Sequence, residues 1–285
     1  MTASSNRGLL ANYRQRLAAR LLAESRRAAA VIEQQITAIV GGWAALILLI
    51  GTVKLALLVS AHPKIARVDL LVGLAGSYLL IAAAPALGFA LVNSVFPKGR
   101  LSAQPSIRMC RYGQWASVSA AAARLQPNFG MSGSLVSLVG GLMLSISMRM
   151  IEYSVAMPAV PVGAPTWALA MFRIMTFDLI FFSFLYSVCI TMALRAAPLF
   201  PRMLCYTWLC DLLMQLAIAR YMSGVDGLPS EVAIALQPYV LVNVKKILIS
   251  VVIWLPYLIV SKRINLTFRL RIRFDEAAQL RTQRA

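Results

Sequence analysis

The sequence contains few of the residues on which enzyme active sites are usually built. It has a single histidine, His62, and only ten acidic residues among 285. Its four cysteines lack the paired spacing of a zinc or redox motif. It has no phosphate-binding glycine loop, no Gly-x-Ser-x-Gly elbow and no His-Glu-x-x-His motif. These absences weigh against most enzyme classes, so we predict a protein that is not an enzyme and that holds no metal or cofactor. An unusual intramembrane enzyme built on Asp178 or Asp211 stays open as a third alternative.

Charged residues are scarce as well, at 13% of the chain, whereas apolar residues reach 60%. A soluble domain has about 25% charged and about 45–50% apolar residues. A soluble fold of this length has too little interior for so much apolar surface, so we predict an all-α, polytopic membrane protein. A helix of about 20 apolar residues crosses a bilayer, and six such segments are present, at 37–60, 69–96, 133–156, 167–193, 203–222 and 238–261.

The basic residues are abundant and unevenly placed. The net charge is +18, and twenty of the 28 Lys and Arg residues fall in the tails and loops on one side of the predicted spans. The opposite loops contain only Lys64 and Arg67. Because Lys and Arg concentrate in cytoplasmic loops, this bias predicts that both termini are cytoplasmic. We interpret the basic tails as topology determinants and predict no binding to nucleic acid.

The spans and their connections suggest a division of the chain. Leu10, Tyr13, Leu17 and Leu21 recur at helical spacing among arginines and predict a basic amphipathic helix, which either lies on the anionic inner leaflet or is solvated. The start lacks the pattern of a cleaved signal peptide, and an organellar transit peptide is an alternative. The predicted parts are the amphipathic segment 1–36, a two-span part 37–96, a basic cytoplasmic linker 97–132 with a short surface helix in 114–125, a four-span bundle 133–270, and a basic tail 271–285.

Ionisable residues inside the predicted spans concentrate in the last four of them. Each costs about 2.5–3.5 kcal/mol on insertion scales, so such residues usually face a bundle interior and find partners. We expect a single polar patch in the outer half of the bundle, which is a candidate ligand, ion or proton site or, alternatively, a set of pairs that fixes helix register. The main residues of this patch are Arg149, Glu152, Arg173, Asp178, Asp211 and Lys245. When Arg220 and Lys246 are added, the patch has five bases and three acids, and this excess of positive charge favours an anionic ligand.

The last predicted span ends in a distinctive series of residues. Trp254-Leu255-Pro256-Tyr257 is followed by Ser261-Lys262-Arg263 and then by Thr267-Phe268. This series resembles the end of the YdgK-like family of bacterial inner-membrane proteins, a four-span domain of unknown function, and the resemblance covers about 133–270. It implies a multi-pass protein of the bacterial cytoplasmic (inner) membrane and implies no activity.

The same residues have a physical interpretation at a lipid interface. Trp254 and Tyr257 suit the aromatic belt, and Lys262 and Arg263 suit anionic headgroups. The alternating run at 269–274 is predicted to lie on the leaflet. We therefore predict a non-enzymatic accessory or structural subunit that packs against a protein partner, a second copy or anionic lipid. The alternative is a small-solute or ion transporter or channel with its site in the outer half of spans 3–6.

Overall fold

The computed structural model describes residues 2–61, 68–99, 103–106, 113–157 and 164–276. The side chains of residues 2–12, 14, 61 and 68–70 lie outside this description. The predicted outer-loop bases Lys64 and Arg67, parts of the linker 97–132, and residues 277–285 of the predicted basic tail also lie outside the described residues.

The described chain is almost entirely helical. Five of its helices, α1, α2, α4, α5 and α7, are long and apolar enough to cross a membrane, so the predicted all-α, multi-pass membrane architecture is confirmed. The elements are α1 (Thr2–Ala61), α2 (Val68–Val95), β1 (Trp115–Ser117), α3 (Ala120–Arg124), α4 (Ser134–Ala156), α5 (Thr166–Leu194), α6 (Phe200–Ser223), α7 (Ser230–Val260), α8 (Lys262–Arg269) and β2 (Arg271–Arg273).

One end of the helix bundle gathers basic residues from distant parts of the sequence, and we call it the basic end. Glu33 of α1 forms ion pairs with Lys98, which follows α2, at 2.8 Å, and with Arg195, which follows α5, at 3.6 Å. Arg26 of α1 donates a hydrogen bond of 2.7 Å to the carbonyl of Pro127. Parts of the chain that the positive-inside rule predicts to be cytoplasmic therefore lie together.

The N-terminal segment is helical, as predicted, and is continuous with the first span. The helix predicted in residues 1–36 is the first part of α1, which continues without a break to Ala61. No glycine or proline occurs between residues 9 and 40, so nothing in the sequence ends the helix before the span begins. The Ser25 hydroxyl accepts a hydrogen bond of 2.8 Å from the Gly133 amide, so α1 packs on the protein at this depth.

A small sheet at the basic end joins parts of the predicted linker and of the alternating run at 269–274. The short helix predicted in 114–125 is present as α3, and β1 precedes it and pairs antiparallel with β2, with Ala116 opposite Ile272. The expectation for 269–274 is wrong, since Arg271 and Ile272 are buried. Ile272 packs against Ala123 and Leu266, which explains why this alternating run is held by the protein.

The apolar core is divided along the membrane normal into two clusters. The basic-end cluster includes Leu138, Leu204 and Phe268, and the far-end cluster includes Ile47 and Met222. Helix α5 is central, with 72% of its most apolar stretch buried, compared with 17% for α1 and for α7. Helix α2 packs along α5, so the predicted two-span and four-span parts share one bundle.

Helix α6 reaches the same depth as its neighbours although it is less apolar. Its 24 residues extend about 36 Å. Phe200 and Leu204 belong to the basic-end cluster, whereas Ile218 and Met222 belong to the far-end cluster. Five of the six predicted spans therefore have the length and apolarity to cross a membrane, whereas α6 has the length and the packing but not the apolarity.

The glycines of the spans differ in how closely a neighbouring helix approaches them. Adjacent small residues such as Gly41-Gly42 permit near approach of a helix, but nothing lies within 4 Å of a side chain built there. At Gly88 of α2, an added Cβ would lie 2.0 Å from the hydroxyl of Ser187 and 2.8 Å from the carbonyl oxygen of Phe184 on α5. Only glycine permits this approach of α2 to α5.

Candidate functional site

Three charged side chains from three helices meet in the middle of the bundle. Arg149 of α4 lies about 22 Å along its helix from Ser134. Asp178 lies about 18 Å from the start of α5, and Asp211 about 16 Å from the start of α6. Since α5 runs opposite to α4 and α6, these distances bring the residues to similar depth. We call these three residues the Arg149 cluster.

The geometry of the Arg149 cluster is that of a shared guanidinium. Arg149 Nη1 donates a hydrogen bond of 2.9 Å to Asp178 Oδ2, and Nη2 donates to both carboxylate oxygens of Asp211 at 2.5 Å. The side chains are 12%, 9% and 0% exposed for Arg149, Asp178 and Asp211. Burial on this scale makes the loss of the Arg149 charge costly, because it leaves both carboxylates uncompensated.

A second layer of polar groups surrounds the two carboxylates. Tyr186 donates its hydroxyl proton to Asp211 Oδ2 at 2.7 Å, and Gln215 Nε2 donates to Asp178 Oδ1 at 3.2 Å. Asn243 of α7 donates in turn to Gln215 Oε1 at 3.4 Å. The guanidinium of Arg149 also lies over the ring of Phe182, 4.9 Å from its centroid. The network thus connects α4, α5, α6 and α7.

Apolar residues separate this network from both ends of the bundle. Phe182 and Tyr186 belong to the basic-end cluster, and Leu179 and Ile218 belong to the far-end cluster. The Arg149 cluster lies where one apolar cluster gives way to the other. Its charges are therefore held in a low-dielectric layer, where electrostatic interactions are strong and unpaired charges are expensive.

The remaining predicted site residues are not part of the Arg149 cluster. Arg173 lies on an exposed part of α5, and Lys245 is exposed on α7. Glu152 forms an ion pair with Lys246, the neighbour of Lys245, rather than with Arg149. Helical register explains the difference, because residues 245 and 246 point about 100° apart around the helix axis.

This arrangement overturns the predicted preference for an anion. Among the described residues, the site contains two bases, Arg149 and Lys246, and three acids, Glu152, Asp178 and Asp211. The predicted excess of bases depended on Arg173, Lys245 and Arg220, none of which lines the groove beside the Arg149 cluster, whereas Lys246 does. The site therefore has one more acid than base, which favours a proton or a cation.

A groove between α4 and α7 reaches the Arg149 cluster from the side of the bundle. It has a volume of about 310 Å³, and both Arg149 and Asp211 line it. Ser145 and Met148 of α4 form one wall, and Asn243 and Ile247 of α7 form the other. The Glu152–Lys246 ion pair connects the two walls. A small ligand or ion thus has a route to a buried charge.

Two uncharged residues of the network, Gln215 and Asn243, are not among the predicted site residues. Gln215 follows Asp211 by four residues and therefore shares its helix face, which is a signal in the sequence for its place in the network. Asn243 precedes Lys246 by three residues in the same way. Outside this network, the ammonium of Lys54 in the first span donates hydrogen bonds to the carbonyls of Ser154 and Met157 at 2.7 and 2.5 Å. It thereby caps the end of α4.

The predicted lipid-interface residues lie together near the basic end. The rings of Trp254 and Tyr257 pack edge to face, with centroids 5.8 Å apart. Lys262 forms an ion pair with Glu276 at 2.5 Å, and Arg263 donates hydrogen bonds to Ser132 and Asn128. Burial lowers the pKa of the Arg263 guanidinium. Both basic residues therefore have protein partners in addition to any lipid they contact.

Comparisons with protein family models, with curated proteins and with solved structures find no match for this chain. The resemblance of residues 133–270 to the YdgK-like family thus stays a prediction from the motif. Among the described residues, no group of three or more His, Cys, Asp or Glu side chains is placed to hold a metal ion.

Proposed function

We propose that this chain is a multi-pass protein of the bacterial cytoplasmic membrane that binds and transfers a proton or a monovalent cation at the Arg149 cluster. In this proposal it belongs to the transporter or channel class. The observation that carries the proposal is the excess of one acid at a buried site that a groove reaches from the side. The YdgK-like resemblance supports a location in the bacterial cytoplasmic membrane, and it implies no activity.

The charge count supports this assignment physically. One guanidinium is shared by Asp178 and Asp211, and the pair Glu152–Lys246 is balanced by itself. A second carboxylate without its own positive charge is expensive in an apolar layer. A proton or a cation at Asp178 or Asp211 supplies that charge. Ionisable residues in such positions commonly mark proton and ion pathways.

The orientation proposed for the chain follows from its basic end. Glu33, Lys98 and Arg195 lie together there, and basic residues favour the cytoplasmic side. We therefore propose that the basic end and both termini are cytoplasmic. Reporter fusions after Ala164 and after Gly227 should report an external location, and a cytoplasmic signal at either position would overturn the six-span topology.

The function is tested with purified full-length protein in vesicles that contain a pH-sensitive dye. An imposed pH gradient, with and without Na⁺ or K⁺, should drive a flux that Asp178→Asn and Asp211→Asn abolish. Asp226→Asn is the matched control, because Asp226 is exposed on a loop beyond α6. Correct folding of each variant is checked by gel filtration and melting temperature.

A second measurement reports on the site without transport. Infrared difference spectra across a pH or Na⁺ titration should contain a carboxyl band that disappears in Asp178→Asn and persists in Asp226→Asn. If the wild-type protein shows neither a flux nor a carboxyl band that depends on these residues, the ion-site proposal is wrong.

A second candidate function, that of a non-enzymatic accessory subunit, is favoured by the surface of α7. Only 17% of its most apolar stretch is buried, and Leu241, Ile249 and Val252 are exposed. The occupant of this surface is lipid, a second copy or a partner helix. Native mass spectrometry of protein extracted with its own lipid should reveal a fixed stoichiometry if a protein partner or second copy is bound. In that case Asp178→Asn should weaken assembly rather than flux.

A further inference from the structure

We infer that a second site, at the basic end, binds a phosphate-bearing anion such as the headgroup of an anionic phospholipid or free phosphate. The site is a cavity of about 550 Å³, far from the Arg149 cluster along the bundle. Four basic side chains line it, whereas Glu33 is its one acidic lining residue. The basic residues are Arg26, Lys98, Arg124 and Arg195.

The charges in this cavity are only partly satisfied within the protein. Glu33 is shared by Lys98 and Arg195, at 2.8 and 3.6 Å. Among the described hydrogen bonds, Arg26 donates to the Pro127 carbonyl at 2.7 Å and Arg124 donates to the Gly99 carbonyl at 3.2 Å. Since a guanidinium has five N–H donors, both arginines keep donors available for an anion.

The basic residues come from four separate parts of the chain. Arg26 lies on α1, Lys98 follows α2, Arg124 ends α3, and Arg195 follows α5. Their convergence is a property of the fold and is not a run of basic residues in the sequence. The positive charge of Arg26 also acts on nearby Arg263, whose pKa is lowered mainly by burial and further by this charge. The excess positive charge therefore extends beyond the cavity.

The shape and depth of the cavity suit a phosphate group at the membrane surface. Its basic rim lies at the level where α2 and α5 end, and its inner wall includes the apolar residues Met131, Ala193 and Leu194. Basic pockets between transmembrane helices on the cytoplasmic side are known to bind anionic lipid headgroups. The planar guanidinium matches the geometry of phosphate oxygens. A phospholipid thus fits with its phosphate on the rim and its chains beside the apolar wall.

The test uses purified full-length protein in detergent and follows its melting temperature during titration with phosphatidylglycerol, phosphatidylcholine or inorganic phosphate. Stabilisation by phosphatidylglycerol alone supports a lipid site, and stabilisation by inorganic phosphate as well supports a site for the phosphate group itself. Arg26→Gln and Arg124→Gln should each lower the affinity obtained from the titration about tenfold, which is the loss expected for one charge-assisted hydrogen bond. The matched control is Arg27→Gln, which changes the neighbouring exposed arginine outside the cavity.

The variant Glu33→Gln separates anion binding from a purely structural role. Removal of this carboxylate takes away the ion pairs of Lys98 and Arg195, although Arg195 keeps its hydrogen bond of 2.8 Å to Asn93, and it raises the local positive charge. The response to the anion should therefore become severalfold stronger even where the unliganded protein melts earlier. A weaker response in Glu33→Gln overturns the proposal. So does an equal loss in Arg27→Gln and Arg26→Gln, or the absence of any difference between phosphatidylglycerol and phosphatidylcholine together with no response to phosphate.

Discussion

Substitution of Arg149 by methionine tests whether the central cluster is required for the fold. Methionine keeps most of the side-chain stem, but it removes the guanidinium that lies over Phe182 and the positive charge that Asp178 and Asp211 share. Two carboxylates would then face one another in a layer that excludes water. We expect Arg149→Met to be the most destabilising single substitution on α4.

The magnitude follows from the burial and number of the lost interactions. Arg149 makes hydrogen bonds to both carboxylates, and its side chain is only 12% exposed. Breaking a buried ion pair by removing one partner costs about 3–5 kcal/mol, because the remaining charge is uncompensated. If that interpretation is correct, Arg149→Met combined with Asp178→Asn and Asp211→Asn should recover at least half of the loss. The reason is that two asparagines carry no negative charge for a guanidinium to balance.

The assay is equilibrium unfolding of the purified protein in mixed micelles. The data are analysed as a thermodynamic cycle in which Arg149→Met is one change and Asp178→Asn with Asp211→Asn together is the other. Arg173→Met is the matched control, since Arg173 occupies an exposed position on α5, and it should change the free energy of unfolding by no more than about 0.5 kcal/mol. A loss below about 1 kcal/mol for Arg149→Met, or no recovery in the triple variant, would refute the electrostatic argument.

Two further substitutions examine the helix contacts around the site. Gly88→Ala should destabilise the protein by about 1–3 kcal/mol, because the new Cβ meets the backbone of α5, whereas Gly41→Ala, with no neighbour within 4 Å, should not destabilise it; thermal unfolding measures both. Lys246→Gln should open the groove between α4 and α7 and speed the reaction of Ser145→Cys with a water-soluble maleimide, in a background without the native cysteines. Lys245→Gln should leave that rate unchanged, since Lys246 carries the ion pair.

Much of the architecture was predictable because membrane constraints are strong. Long apolar segments and the uneven placement of Lys and Arg follow directly from the energetics of the bilayer. The basic end was less predictable. Residues 114–125 and 269–274 have helical or amphipathic patterns of their own, but pairing of β1 with β2 and burial of Ile272 decided their structure. Contacts between segments that are distant in sequence leave no local signal.

The candidate site was predictable in part for a similar reason. Charged residues within apolar spans are easy to recognise in a sequence, so Arg149, Asp178 and Asp211 were predicted as site residues from the free-energy cost of a charge in the membrane. Which basic residues join them depends on rotation around each helix, and neighbouring positions such as Lys245 and Lys246 have opposite outcomes. The sign of the charge excess, and with it the expected ligand, depends on that rotation.

Helix α6 shows why low hydropathy and a polar site occur in the same element. Asp211 and Gln215 reduce its apolarity, yet both side chains are fully buried in the network with α4, α5 and α7. The outward face of α6 carries Leu209, Leu213 and Leu216, which are exposed as lipid contact requires. The mean hydropathy of a helix averages these two faces. A span that supplies polar groups to a central site therefore has a lower mean hydropathy than its neighbours. The weakest span by composition is for this reason the one that supplies Asp211 to the site.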